Sequence, residues 1–272
     1  MLFSQVISSL ELVLMLSGCV LLWQQGLSPE ARGRANRQAA AMPAWPLSVS
    51  GFLLFLWLVV AGGFLAQSAT SLALRYFSLS QTGAMIAVGG SFHAGMLLGI
   101  IVFKLFLERA AARPGTALPR WRIAGYGFAT FMIALPLIAA TGLIWQHLLQ
   151  YCGVKLEEQE LVGIFAKSKS PRLIGTMILL ATVVAPVTEE MIFRAGLFRY
   201  ARTRFPRWVA LLVPAMLFAA LHANLASFAP LMVLGIVFSL AYERTGNIAV
   251  PMVAHGLFNL NTILLIFAGI NF

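Results

Sequence analysis

Long, uninterrupted apolar runs constrain this chain more than any other feature of its sequence. Each run approaches the roughly 20 residues that an α-helix needs to cross about 30 Å of hydrocarbon. The sequence is 60% hydrophobic and only 10% charged, whereas soluble domains carry about 25% charged residues. The runs also lack the alternation of polar and apolar residues that marks membrane β-strands. The sequence therefore predicts an all-α protein whose helices cross a membrane.

We predict a polytopic membrane helix bundle of about eight transmembrane helices. The sixth and seventh runs are short for a complete crossing, so they are expected to include flanking residues. The first run lacks the basic start of a signal peptide, so we interpret it as a retained helix. The predicted spans are Leu2–Trp23, Leu47–Ala66, Gly83–Phe106, Ile123–Trp145, Leu173–Phe193, Trp208–His222, Ala229–Tyr242 and Ile248–Ile270.

The chain divides into three predicted regions. Residues 1–146 contain the first four transmembrane helices, and residues 173–272 contain the last four. Residues 147–172 form a more polar segment with apolar residues at helical spacing, which predicts an amphipathic helix at the membrane interface. The sequence shows no separate soluble domain.

The formal net charge of +10 raises nucleic acid as a partner. The Lys and Arg residues, however, gather in the short connections after the first, third, fifth and seventh spans, which is the pattern of the positive-inside rule. We therefore predict that these connections face the cytoplasm and that the lipid bilayer, not nucleic acid, surrounds the chain. The expected location is the inner (cytoplasmic) membrane of a bacterium.

Two adjacent carboxylates, Glu189 and Glu190, follow a long uncharged stretch of the fifth predicted span. Ionisable groups are costly inside a membrane and usually mark function. Neighbouring residues on a helix point about 100° apart, whereas residues four apart share a face. We therefore expect Glu190 to pair with Arg194 and Glu189 to act as a general base.

Two further groups of polar residues lie on later spans. Glu189 and His222 are about equally far from the turn expected near Phe205–Pro206, so a helical hairpin places them at the same depth, where they can activate one water. His255 and Asn259 are four residues apart and share a helical face. Hydrogen-bond donors of this kind can stabilise the oxyanion that forms during amide hydrolysis.

These residues form three motifs that resemble, in order and spacing, those of the CAAX protease and bacteriocin-processing (CPBP, Abi) family of intramembrane endopeptidases. The similarity covers about Leu173–Ile270. The motifs are Glu189-Glu190-x-x-x-Arg194, Phe218-x-x-x-His222 and His255-x-x-x-Asn259.

The resemblance implies a role for each motif residue. Glu189 would activate water with the help of His222, and Glu190 with Arg194 would support the site. His255 and Asn259 would form the oxyanion pocket. Phe218 is expected to pack as a wall of the site.

The sequence leaves the cofactor open, and the family is often described as one of metalloproteases. Nitrogen and oxygen donors of the kind that bind zinc are available, but the chain has no His-Glu-x-x-His pattern. A metal-free site and a site with Zn²⁺ or another divalent metal are both compatible with these residues. The candidate metal ligands are Glu189, His222, His255 and Asn259.

The resemblance implies an enzyme that cleaves a peptide bond of a membrane-anchored or membrane-associated protein or peptide. The alternative is a non-catalytic membrane immunity or scaffold protein of the same fold, and the complete set of motifs favours the enzyme. A transporter has less support, because paired broken helices and internal repeats are not evident.

His93 lies on the third predicted span, outside the part of the chain that carries the motifs. A histidine within a membrane marks either a functional site or a polar contact between helices. We interpret His93 as forming a helix–helix hydrogen bond. A place in the lining of the substrate cavity is the alternative.

Overall fold

The computed structural model describes residues 2–37, 40–107, 116–154 and 170–270. All regular elements within these ranges are helical, as predicted, and together they form a polytopic helical bundle. We number the helices in chain order. They are α1 (Leu2–Leu27), α2 (Pro29–Arg37), α3 (Val49–Tyr76), α4 (Gln81–Leu107), α5 (Arg120–Tyr151), α6 (Pro171–Arg202), α7 (Arg207–Ala220), α8 (Phe228–Thr245) and α9 (Ala249–Phe267).

Seven of the described helices are long and apolar enough to cross a membrane, which confirms an integral membrane protein. The exception among the predicted spans is the sixth, Trp208–His222. It forms α7, which has 14 residues and therefore extends about 21 Å, less than the hydrocarbon thickness. The prediction of a helix reaching His222 is wrong, because α7 ends at Ala220.

The end of α7 has a local cause in the residues that follow it. Ala223 adopts a positive φ of 49°, a conformation that an α-helix cannot continue through. The side chain of Asn224 then accepts a hydrogen bond from the backbone N–H of Ser227, and turns of this kind compete with helix formation. The indole N–H of Trp145 on α5 also donates to the carbonyl of Leu225. Residues 221–227 therefore form an anchored connection between α7 and α8.

The middle region of the chain differs in part from the prediction. Helix α5 continues to Tyr151, so the start of the predicted segment 147–172 is the end of the fourth span. The predicted amphipathic helix falls on residues 155–169, which lie outside the described residues.

The connections at one end of the bundle are tied to each other by hydrogen bonds. The backbone N–H of Ala41 donates to the carbonyl of Glu243, and the guanidinium of Arg199 donates to the carbonyl of Pro43. Glu243 is buried and accepts from Arg202 and Arg207. The predicted basic connections after α1, α6 and α8 therefore lie at the same end of the bundle.

Helices α3 and α4 form a hairpin with very close backbone contact. A Cβ atom on Gly95 would overlap the carbonyl of Gly62, and one on Gly99 would overlap the carbonyl of Leu58. Small residues at helix interfaces permit this approach in membranes. In contrast, a Cβ on Gly89 of the same helix meets no atom within 4 Å.

This difference predicts opposite effects for two equivalent substitutions on α4. Gly95→Ala forces the helices apart and is expected to lower the free energy of unfolding by about 1–3 kcal/mol. Gly89→Ala is expected to leave it unchanged or raise it by about 0.5–1 kcal/mol, because alanine favours helix over glycine. Thermal unfolding of both variants in the same detergent measures the contrast. Equal melting temperatures would contradict the close packing.

Candidate active site

Helix α6 carries the Glu189–Glu190 pair between two π-helical segments. The first segment is Leu180–Val184 and the second is Met191–Phe198. At the end of the first segment the N–H of Ala185 donates to the carbonyl of Leu180, five residues back. Segments of this type are rare in helices and are frequent at functional sites. They shift the register of the side chains on either side of the two glutamates.

The first π segment explains the position of Asn259. In an α-helix the N–H of Ala185 would bond the carbonyl of Ala181, which the π geometry releases. The side-chain amide of Asn259 donates to this carbonyl at 2.7 Å. Gly256 on the same face of α9 allows the close approach, since a Cβ there would overlap the carbonyl of Thr182. One amide hydrogen of Asn259 therefore holds α9 against α6.

A second contact between α9 and α6 is a buried network of charges. Arg194 donates to Oε1 of Glu190 at 2.9 Å, which is the pair expected from their spacing. Nδ1 of His255 lies 2.9 Å from the same oxygen. The exposed fractions of Glu190, Arg194 and His255 are 0%, 1% and 3%. Because the carboxylate of Glu190 pairs with a guanidinium and acts as an acceptor, Nδ1 of His255 carries the hydrogen of this bond.

Aromatic rings surround the buried guanidinium. The Cζ atom of Arg194 lies 4.5 Å from the ring centre of Phe218 and 5.4 Å from that of Phe238. At these distances the faces of aromatic rings attract a cation. The ring of Phe218 also contacts those of His222 and His255, at 4.8 and 5.9 Å. Phe218 therefore packs as the expected wall, with an imidazole on either side.

Glu189 has a different environment from its neighbour. Its side chain is 21% exposed, whereas that of Glu190 is completely buried. Its Oε2 atom lies 3.8 Å from Nε2 of His255, which is too long for a direct hydrogen bond. One water molecule can contact both atoms at this spacing. The two carboxylates therefore differ as expected: Glu190 is fixed by its partners, whereas the side chain of Glu189 is partly exposed and its Oε2 has no protein hydrogen-bond partner.

His222 lies in the turn after α7 and is exposed. Its Nδ1 is 2.8 Å from the carbonyl of Phe218, so Nδ1 carries a hydrogen and Nε2 is available to accept a proton. Helix α6 does turn into α7 at Thr203–Pro206, close to the expected bend. In the structure the imidazole beside Glu189 is that of His255. A water shared by Glu189 and His222 stays a prediction.

The candidate metal ligands do not fit a divalent cation as placed. Among the residues that the structure describes, no three His, Cys, Asp or Glu side chains form a group that could hold a metal ion. The bonds that Nδ1 of His255 and the amide N–H of Asn259 form leave only Nε2 and Oδ1 of these residues as atoms that could bind a metal. Zinc sites generally need at least three protein ligands. We therefore propose chemistry that uses only these side chains and water.

The comparison with protein families matches one part of the chain. Residues 171–261 match the model described as Type II CAAX prenyl endopeptidase Rce1-like. This range contains α6, α7 and α8 and all six predicted site residues. A search of solved structures finds no match.

Three curated relatives match part of the chain. A 24.3 kDa protein of Escherichia coli is 30% identical over 103 residues, which are 36% of this chain and 47% of the relative. The "Putative membrane peptidase YdiL" of Bacillus subtilis (strain 168) is 30% identical over 141 residues, 51% of this chain and 52% of the relative. The protein YpbD of the same organism is 37% identical over 97 residues, 34% of this chain and 47% of the relative.

The chain thus spans about half the length of the curated relatives that it matches. The family match and the printed name of the second relative support a membrane protease in general terms. The resemblance to CAAX proteases that the three motifs predicted is confirmed, and residues 171–261 are the part of the chain that matches the Rce1-like family.

Proposed function

We propose that this protein is an intramembrane endopeptidase that hydrolyses a peptide bond of a membrane-associated protein or peptide. One observation carries the proposal. The Oε2 atom of Glu189, which has no protein hydrogen-bond partner, lies 3.8 Å from Nε2 of an imidazole whose other nitrogen is fixed by a buried ion pair. A carboxylate and an oriented imidazole around a site for one water are the elements of general acid–base hydrolysis.

In the proposed reaction Glu189 accepts a proton from a water as its oxygen adds to the peptide carbonyl carbon. The resulting oxyanion accepts hydrogen bonds from donors on α9. Asn259 has a second amide hydrogen beyond the one that bonds Ala181, and His255 can donate from Nε2 when it is protonated. The C–N bond then breaks, and a proton passes to the departing amine. Fixed donors of this kind lower the barrier because they need no reorganisation.

The short α7 supports access of water to this chemistry. It extends about 21 Å, less than the hydrocarbon thickness, and ends before His222. We therefore infer that residues 221–227, which have no helical structure, lie within the membrane. Such backbone is tolerated at this depth only where protein covers it or where it lines a water-filled cavity. Leu221, His222 and Ala223 are exposed. We propose that this connection borders the water path to the site.

The substrate class follows from the location of the site within the bundle. A peptide that reaches Glu189 must lie in or beside the bilayer, so lipid-anchored proteins and membrane-inserted peptides both belong to the proposed class. The proposed location is the inner membrane of a bacterium, with the basic connections toward the cytoplasm.

The first test is Glu189→Gln, which preserves size and removes the base. We expect cleavage to fall at least 100-fold, because general base catalysis contributes about 10²–10⁴-fold, while the melting temperature stays unchanged. Comparing membrane peptides from cells with the unaltered protein and with the variant identifies the substrate, which is then used with purified protein. Equal cleavage by both proteins would refute the mechanism. A retained cellular phenotype in the variant would favour the non-catalytic alternative.

The adjacent substitution Glu190→Gln is the matched comparison. It leaves the buried guanidinium of Arg194 without a charged partner, and breaking a buried pair in this way costs about 3–5 kcal/mol. We therefore expect a large loss of stability, measured as the unfolding midpoint in detergent. The two substitutions should therefore have different effects, because Glu189→Gln lowers the cleavage rate and Glu190→Gln lowers the stability of the fold. An unchanged unfolding midpoint of Glu190→Gln would contradict the stabilising role of the Glu190–Arg194 pair.

Removal of metal is expected to leave cleavage unchanged, because the described donors do not form a metal group. The measurement is the cleavage rate of purified protein before and after treatment with a strong chelator, followed by addition of Zn²⁺. A loss of activity on chelation that zinc restores would contradict the metal-free site.

A further inference from the structure

Helix α4 lies along α6 and follows it toward the pair of glutamates. A Cβ atom on Gly83 would lie 3.9 Å from Leu173, and one on Gly90 would lie 3.7 Å from Leu180. Gly90 comes seven residues after Gly83, and Leu180 comes seven residues after Leu173, so the two helices run in the same direction. Helix α4 also contacts Ala185–Glu190, the segment that carries Glu189. The face of α4 that continues beyond Gly90 therefore approaches the site.

His93 is the next residue on this face, three positions after Gly90. Its Nδ1 atom is buried without a hydrogen-bond partner, and so is Oε2 of Glu189. The two side chains interact electrostatically. The helix–helix hydrogen bond predicted for His93 is therefore not formed at Nδ1. Its ring instead contacts that of Phe92 edge-on, at 6.2 Å.

Buried polar atoms in proteins nearly always have a hydrogen-bond partner. A water that contacts two or more such atoms is a common way to provide it. Nδ1 of His93 and Oε2 of Glu189 belong to two helices that pack together, so water between these helices would provide the missing partner of each group. Proton transfer through a single water is also a recognised arrangement for an acid–base pair.

We propose that His93, brought to the site by α4, is a proton-transfer partner of Glu189 that exchanges a proton with this carboxylate through water. The inference rests on the proposed endopeptidase function and extends its site to a helix outside residues 171–261. It gives His93 a chemical reason for its position among apolar helices, where a histidine is costly.

The proton balance of the reaction explains the need for such a partner. Water loses one proton to Glu189 as its oxygen bonds to the carbonyl carbon, and the amine nitrogen gains one proton as the C–N bond breaks. His255, held at Nδ1 by Glu190, donates to the oxyanion from Nε2 in the proposed reaction, so another group is needed to carry the proton. His93 has no such bond at Nδ1. It can therefore take the proton from Glu189 and release it toward the departing amine.

The test uses two substitutions of His93 in the full-length protein, assayed on the identified peptide substrate. His93→Gln keeps a hydrogen-bonding side chain of similar size but cannot carry the proton, so we expect the turnover number to fall about 10–100-fold with an unchanged KM. His93→Ala leaves space for a free imidazole. We expect added imidazole to restore turnover of His93→Ala at least several-fold, which a purely structural residue would not allow.

His147→Ala is the matched control, because His147 is exposed and its Nδ1 bonds the carbonyl of Leu143 on its own helix. This variant should keep full turnover and should not respond to imidazole. Full turnover of His93→Gln, or a slow His93→Ala protein that imidazole does not restore, overturns the inference. If Glu189→Gln is inactive in the same assay, the endopeptidase proposal stands in either case. If Glu189→Gln is as active as the unaltered protein, both proposals fail.

Discussion

The buried carboxylate of Glu190 is the contact on which the rest of the site depends. It accepts from Arg194 on its own helix and from His255 on α9. A buried charge is tolerated only when it is paired, so this group draws both partners into fixed positions. The bond to Nδ1 also orients the imidazole and directs Nε2 toward Glu189. Structural pairing at one glutamate therefore orients an imidazole toward the next, as the proposed acid–base chemistry requires.

The irregular backbone of α6 contributes to the same arrangement. Its first π segment leaves the carbonyl of Ala181 without a helical partner. The side-chain amide of Asn259, one helical turn after His255, donates a hydrogen bond to this carbonyl. Helix α9 thus contacts α6 at two positions, through the charge network at His255 and through the hydrogen bond from Asn259 to the backbone. Sites held by several such contacts keep their geometry without reorganisation. The same contact limits Asn259 to one free amide hydrogen for chemistry.

The sequence predicted the parts of this structure that depend on periodicity. The helices follow from apolar runs, and the pair of Glu190 with Arg194 follows from residues four apart. The sequence did not predict the π segments of α6. A π segment adds one residue to a helical turn, and this residue is as apolar as its neighbours, so the apolar run shows no sign of it. The end of α7 was also missed, since the run continues to Leu221 and the turn depends on the conformation of Ala223. Contacts between helices, such as His255 with Glu190, require the three-dimensional packing.

The N-terminal half of the chain also shapes the site, although the family match begins at residue 171. Glycines draw α3 and α4 together, and α4 then packs along α6 as far as the segment Ala185–Glu190. On α5, Trp145 donates a hydrogen bond to the connection that follows His222. The matching segment supplies the carboxylates and two histidines, and helices that precede it contact the elements that carry them. The position of these side chains therefore depends on packing between the two halves of the chain as well as on the motifs.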